Sequence, residues 1–306
     1  MKQEITIVTA FFSINRENWK GFERSNEKYF EYFKGWAKLK NNIIVYVESE
    51  ELRKKILEFR SSMGLSERTT VNVIPNVLDI DKELYQSIRQ AADNNDARLF
   101  RIFPKNPDCW SAEYDYIMLM KMWCCADAVK RGQVEEHQML AWMDFGYNHG
   151  GAVLDIKSDF NFLWEYDFPD KMNVFLIQPL DERPIFDIVF SMDTYIMGMA
   201  IVGIAGLWDE FWQMMKRNMM RLNSCGIIDD DQNVILMCLR EKPEMFNTYM
   251  SSWQMPLKQF GGEHLLTIAD NNETRIHKAL RRMRYKYKVL KYAIGIFNYY
   301  SQKTVH

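Results

Sequence analysis

The stretch ITIVTAFF, residues 5–12, decides the fold. Eight residues rich in β-branched and aromatic side chains read as a buried strand. A polar loop follows over 13–18. Residues 19–39 then carry Phe22, Tyr29, Phe30, Phe33 and Trp36 at helical spacing, an amphipathic helix. Asn41-Asn42 turns the chain into IIVYV, residues 43–47, a second strand. Residues 50–63 read as a helix closed by Gly64, and 71–74 as a third strand. This β-α-β-α-β order with short connections predicts an α/β fold, a mostly parallel central sheet flanked by helices.

Further along, 79–95 reads as a helix, 103–110 with its two prolines as a surface loop, and 112–131 as a long helix ending at Gly132. Residues 139–143 form a strand whose C-terminal end delivers Asp144. In open α/β sheets ligands collect at the C-terminal ends of strands. Residues 174–177 and 185–190 read as further strands, the second of them antiparallel. The run MGMAIVGIAG, residues 197–206, is apolar and dotted with glycine, 207–223 is a helix, and 233–241 another. No linker, repeat or low-complexity tract divides the chain. One domain over 1–270 and an extension over 271–306 are expected.

Composition narrows the class. Hydrophobic residues make up 47% of the 306 and aromatics 14%, enough for a large core and against disorder. No run of about 18 apolar residues exists, so no membrane-spanning helix is expected, and the N-terminus is a poor signal peptide. Five cysteines without a Cys-x-x-Cys pair indicate neither a disulfide framework nor a zinc knuckle, and a reduced, cytoplasmic location is expected. The net charge of −2 hides an asymmetry: residues 275–306 hold nine Lys or Arg and no acid, which leaves 30 basic against 41 acidic residues in the first 274, a net of −11.

Three clusters carry candidate chemistry. Asp144 is followed by Gly146, Tyr147, Asn148 and His149. A carboxylate at a strand end before such a loop is how nucleotide-sugar enzymes hold a ribose and a divalent metal; the plainer account is a turn acid among loop glycines. Asp144-Phe145-Gly146 also spells the metal-binding triplet of protein kinases, but no Gly-x-Gly precedes it and no His-Arg-Asp occurs. The second cluster is Asp229-Asp230-Asp231-Gln232. One aspartate suffices to cap a helix, so three with a glutamine suggest a general base or a sugar clamp. The third is Phe260-Gly261-Gly262-Glu263-His264, where His264 either completes a metal shell, contacts a phosphate or is merely exposed. No Walker loop, Gly-x-Ser-x-Gly elbow or Gly-x-Gly-x-x-Gly appears.

Read together and in order, ITIVTAFFSINRENW, EYDYIMLMKMWCCADAV, LAWMDFGYNH, VGIAGLWDEFW and DDDQNVIL resemble the bacterial HtrL/YibB family, over about residues 5–264. That family is associated with lipopolysaccharide and capsule gene clusters and looks like a GT-A glycosyltransferase. The resemblance implies a GT-A-like Rossmann-type sandwich that moves a sugar from a nucleotide-diphosphate donor, a UDP-sugar above all, to a cell-surface glycan or lipid-linked acceptor. It implies donor contacts from Thr9, Ala10, Phe11, Arg16, Lys121, Asp144, Gly146 and Tyr147. It implies catalytic roles for Asp230, Asp231 and Gln232, and an acceptor side at Gly203, Gly206 and Trp208. Asp144 matches the first acid of an Asp-x-Asp motif, whereas the second position is Gly146, which cannot ligate. An Mn2+ or Mg2+ ion would therefore need Asp144 with Asn148, His149 or His264, or the diphosphate is held without one, with Lys121 and Arg16 as its partners. The rival expectation is a non-catalytic membrane-associated scaffold on a decayed transferase fold. The tail RIHKALRRMRYKYKVLK, residues 275–291, with the aromatic YAIGIFNYY after it, suits an anionic membrane surface and a peripheral place on the inner face of the cytoplasmic membrane. The globule's net −11 argues against nucleic acid. A packed helix with solvated charges is the plainer account.

Overall fold

The computed structural model describes residues 2–268 and 275–303. It opens with β1 (Gln3–Phe11), α1 (Asn26–Trp36), β2 (Ile43–Val47), α2 (Glu50–Ser61) and β3 (Thr69–Val73). The three strands are parallel, with Ile7 opposite Ile43 and Ile43 opposite Thr69. Ser25 and Ser49 cap the two helices by accepting from Lys28 N and Leu52 N. The first helix starts later than its aromatic spacing suggests. Gly21 has a positive φ of 86° that breaks any helix from residue 19, and Trp19 instead packs on Trp110 with ring centroids 5.2 Å apart.

There follow α3 (Lys82–Ala92), α4 (Asn95–Leu99), α5 (Ala112–Lys130), β4 (Met139–Met143), β5 (Glu165–Tyr166), β6 (Met172–Leu176), α6 (Ile185–Ser191), β7 (Ala200–Ile204), α7 (Trp208–Ser224), α8 (Asp231–Glu241), β8 (Phe246–Met250), α9 (Pro256–Gln259) and α10 (Arg275–Lys303). The sheet runs β3-β2-β1-β4-β7-β6-β8, with β5 pairing the start of β1. Within that path β7 is antiparallel to both neighbours, and the other pairs are parallel. The strand expected over 185–190 is the helix α6. Its apolar residues are too few for periodicity to separate strand from helix, and Ile188 and Val189 are the pair it buries. The loop expected on the surface over 103–110 buries Pro107 and Cys109.

Alternation along the strands splits the core into two layers. Val8, Ile44, Leu140 and Trp142 point to one side, under α3, α5, α7 and α8. Ile7, Val45, Ala141 and Met143 point to the other, under α1, α2 and the segment around Trp164 and Leu257. Both faces are covered, as parallel sheets require. Strand order reverses at β1, since β2 and β3 lie to one side of it and β4 to the other. That is a topological switch point, and a crevice opens outside the carboxyl ends of the strands there. Helix α10 touches the globule at α4: Tyr299 donates to Asp96 at 3.0 Å and packs on Phe100. Among the described residues no helix is long and apolar enough to cross a membrane.

Candidate functional site

The crevice is lined by Ala10 and Phe11 at the end of β1, Arg16, Arg24 and Tyr29 beyond it, Lys121 and Tyr114 on α5, and Trp142, Asp144, Gly146 and His149 at and after β4. Phe11 and Tyr29 form an aromatic wall, ring centroids 5.4 Å apart. Arg16 donates to the Phe22 carbonyl at 3.2 Å and to the Tyr29 hydroxyl at 2.9 Å, and its guanidinium lies 5.7 Å from the Tyr114 ring. Arg24 stands 5.9 Å from the ring of Tyr29. Two cations beside an aromatic wall suit an anionic, ring-bearing ligand.

Asp144 sits at the rim with 33% of its side chain exposed, and its oxygen Oδ1 has two partners. Trp142 Nε1 donates to it at 2.8 Å and Lys121 Nζ lies 3.1 Å away. The same ammonium donates to Asp231 Oδ2 at 2.9 Å and to the Gly198 carbonyl at 3.2 Å. All three of its protons are therefore committed. Burial works against the Lys121 ammonium, but Asp144 and Asp231 more than compensate and raise its pKa. Burial raises Asp231 and Lys121 pulls it back. Position 198 must be glycine: a Cβ there would fall 2.0 Å from Asp231 Oδ2. A lysine thus joins a rim carboxylate to a buried one 87 positions further on, through side chains on three different elements.

The loop after Asp144 is tied down by its own hydrogen bonds. Asn148 and His149 both adopt positive φ, 62° and 45°, and Gly150 and Gly151 continue in that region. Asn148 is buried and holds the turn, accepting from Val153 N and Leu154 N and donating to Leu154 O at 2.7 Å. Non-glycine residues in this region cost energy that surrounding bonds must offset. The reward is that His149 faces the cleft, packed on Tyr32.

A second cleft adjoins the first. It is lined by Asn106, Asp108, Thr194, Asp229, Asp230 and Asn233 among others, and it shares Arg16, Tyr114 and Gln232 with the first. Asp230 caps α8 by accepting from Gln232 N at 3.0 Å, and Gln232 Oε1 accepts from Thr194 at 3.1 Å.

The structure brings Ala10, Phe11, Arg16, Lys121, Asp144, Gly146, His149 and Gln232 to the first cleft, and Asp230 and Gln232 to the second. It does not bring the remaining candidates there. Thr9 is fully buried within β1. Tyr147 is 1% exposed, its hydroxyl donating to Gln254 O and accepting from Leu257 N, which makes it a strut beneath the loop. Asp231 is enclosed behind Lys121 and borders neither cleft. His264 contacts the Asp159 carbonyl and packs edge-on to Phe162, outside the cleft. The ligand trio Asp144, His149 and His264 is therefore not assembled. Among the described residues no group of three or more His, Cys, Asp or Glu is placed to hold a metal; of the expected ligands, Asp144 and His149 line the first cleft together. Lys121 is not positioned to grip a phosphate, because its protons are spent.

The acceptor side expected at Gly203, Gly206 and Trp208 is the largest correction. Because β7 runs antiparallel to β4, Ile204 lies opposite Met139 and Ala200 opposite Met143. The chain thus reaches Gly206 at the end of the sheet away from Asp144, a strand length of about 14 Å. Gly203 is pressed against Met172 and Trp208 is fully buried, while Gly206 is exposed and donates its N–H to the Glu136 carbonyl at 2.9 Å. Gly203 and Trp208 are packing residues, and Gly206 belongs to a turn at the far edge. Arg24, Tyr29, Tyr114 and Asp108 were missed, since none carries a motif and each reaches its cleft only through the tertiary fold.

A family profile described as "Bacterial protein of unknown function (HtrL_YibB)" matches residues 3–261. Protein HtrL of Escherichia coli (strain K12) is 32% identical over 266 residues, covering 81% of this chain and 88% of that one. Among solved structures, a crystal structure of 4-diphosphocytidyl-2C-methyl-D-erythritol synthase overlaps 92% of this chain and 99% of its own, at 8% identity. Its TM-score of 0.33 marks an overlap too loose to carry any argument. The extent of the profile match and the identity to Protein HtrL agree: the chain belongs to the HtrL/YibB family.

Proposed function

We propose that the protein is a glycosyltransferase that takes a sugar from a nucleotide-diphosphate donor in the first cleft and passes it to a glycan or lipid-linked acceptor. The observation that carries this reading is Asp144, a partly exposed carboxylate at the carboxyl rim of the sheet beside its switch point, with a second acid locked behind it through Lys121. Tyr29, backed by the buried Phe11, offers an aromatic side to a base, and Arg16 and Arg24 offer charge to a diphosphate. Asp144 Oδ1 is held by Trp142 and Lys121, which fixes the orientation of the carboxyl group against ribose or sugar hydroxyls. Asp231 acts as a positioning residue. Asp230, on the wall of the adjoining cleft, is the base that takes the acceptor hydroxyl's proton, and Gln232, which borders both clefts, hydrogen-bonds the sugar between them.

The membrane reading of the tail is part of the same proposal. On α10 the exposed residues Met283, Tyr287, Leu290, Ile294 and Phe297 follow one another at alternating steps of four and three, one face of a helix. Lys286 and Lys291 are exposed alongside. An apolar stripe on a cationic helix suits an anionic leaflet, where lipid-linked acceptors reside. The side chains of 275–282, 284, 285, 288, 302 and 303 lie outside the described residues.

Calorimetric titration with UDP-, GDP- and CMP-sugars, with and without manganese, tests the transferase reading. One donor should bind, and Asp144→Ala should lose at least tenfold in affinity with its circular dichroism unchanged. Absence of binding by every donor would favour the scaffold alternative, for which Gly146 in place of a second acid is the specific observation.

A further inference from the structure

The second cleft has the wrong charge balance for an empty pocket. Asp108, Asp229 and Asp230 border it. Asp115, fully buried on α5, stands close enough behind that their charges add to burial in raising its carboxyl well above the usual range. Arg101, 3% exposed, is buried beside these acids, and its guanidinium is mostly spent elsewhere. It donates to the carbonyls of Val189 and Ile228 and meets Asp229 at only 3.5 Å. Among the described residues Asp108, Asp115 and Asp230 have no ion-pair partner.

Two further observations point to a missing donor rather than to negative charge alone. Asn233 borders the cleft at 5% exposure; its Nδ2 donates to Asp229 at 2.9 Å, and its Oδ1 has no hydrogen-bond partner. Asp115 has none for either oxygen. Folded proteins rarely leave buried acceptors unmet, and here one belongs to the wall of the cleft and the others to a buried acid that feels the charges of that wall. A ligand that is both cationic and rich in N–H donors answers the charge and the unmet Asn233 oxygen together. A bare metal ion brings no donors, and the described residues do not group as its ligands. The rest of the wall is of another kind. Asn106, Thr194 and Gln232 present neutral hydrogen-bonding groups, Tyr114 an aromatic side, and Arg16 a positive charge at the border with the first cleft.

We propose that this cleft binds a primary ammonium group carried on a polyhydroxyl ring, an amino sugar, and that such a molecule is the acceptor. The ammonium goes to the acidic end at Asp108 and Asn233, and the ring hydroxyls go to Thr194 and Gln232 at the shared wall, next to the donor. Arg16 disfavours a second cation, so the ligand is singly charged where it binds. This inference deepens the transferase reading and rests on it only for the word acceptor; the binding itself does not require it.

The test titrates the full chain with glucosamine, glucose, N-acetylglucosamine and Mg2+, with the best donor nucleotide run in parallel. Glucosamine should bind at least tenfold more tightly than glucose or N-acetylglucosamine, and Asp108→Asn should remove most of that preference while donor affinity in the first cleft stays unchanged. Glucosamine and glucose binding alike, a preference that survives both Asp108→Asn and Asp230→Asn, or a response to Mg2+ with none to glucosamine would each overturn it. Donor binding without any amine preference defeats this inference alone; amine preference without donor binding defeats the transferase reading and leaves the amine site standing.

Discussion

Replacing Lys121 by methionine keeps an unbranched side chain of similar length and deletes the ammonium that Asp144 and Asp231 share. The two carboxylates feel the loss unequally. Asp144 is 33% exposed, so water takes the amine's place and that contact is worth no more than about 1 kcal/mol. Asp231 is 2% exposed, and a buried charge left without its partner costs about 3–5 kcal/mol. Protonation limits that cost. Burial already pushes the Asp231 carboxyl up against the pull of Lys121, and without the lysine the acid stays protonated to higher pH. Its folded-state pKa then lies above the unfolded value, so the variant keeps stability at low pH and loses it as pH rises, by at most about 1.4 kcal/mol per pH unit. Urea unfolding near pH 5 and again near pH 8 should therefore show a small deficit at the first and nearly the full one at the second. Adding Asp231→Asn to Lys121→Met should recover at least half of the loss near neutral pH, because the uncompensated charge is gone. A single variant as stable as the wild type at both pH values, or a double variant no better than the single, would refute the reasoning.

The acidic cleft makes its own pH prediction. Burial, and after it the nearby Asp229, push the Asp108 carboxyl up to about 7, so between about pH 4 and pH 7 the folded chain holds a proton that the unfolded chain has released. Stability present at the acidic end of that window should be lost as pH rises through it. Asp108→Asn should flatten the decline in thermal midpoint and leave the variant more stable than the wild type above about pH 7; an unaltered slope would contradict the charge crowding. For α10, sedimentation with anionic liposomes should pellet the full chain and leave a chain ending at Glu273 in the supernatant, with binding weakened by salt. Equal pelleting of the two would remove the membrane surface as its partner.

What the sequence shows of this molecule follows from how local each feature is. The opening β-α-β-α-β order and the strand that ends at Asp144 are legible because each rests on a contiguous run of β-branched or aromatic residues and a short turn. β8 is not, since FNTYM carries neither a contiguous apolar run nor a regular alternation of apolar and polar residues. The Asp231–Lys121–Asp144 bridge joins residues 110 and 23 positions apart, and Gly198 matters only because a carboxylate from another element lies over it; no window of sequence contains such a relation. The acceptor side failed for a sharper reason. Residues 197–206 are apolar and glycine-rich in either direction of travel, and only the pairing of β7 with β4 decides which end of the run reaches the cleft. Antiparallel pairing puts Gly198 and Met199 at the rim and sends Gly203 and Gly206 to the far edge. The same segment thus holds one glycine that seats a site carboxylate, one that serves packing and one at an exposed turn, and strand direction alone decides which of them reaches the cleft.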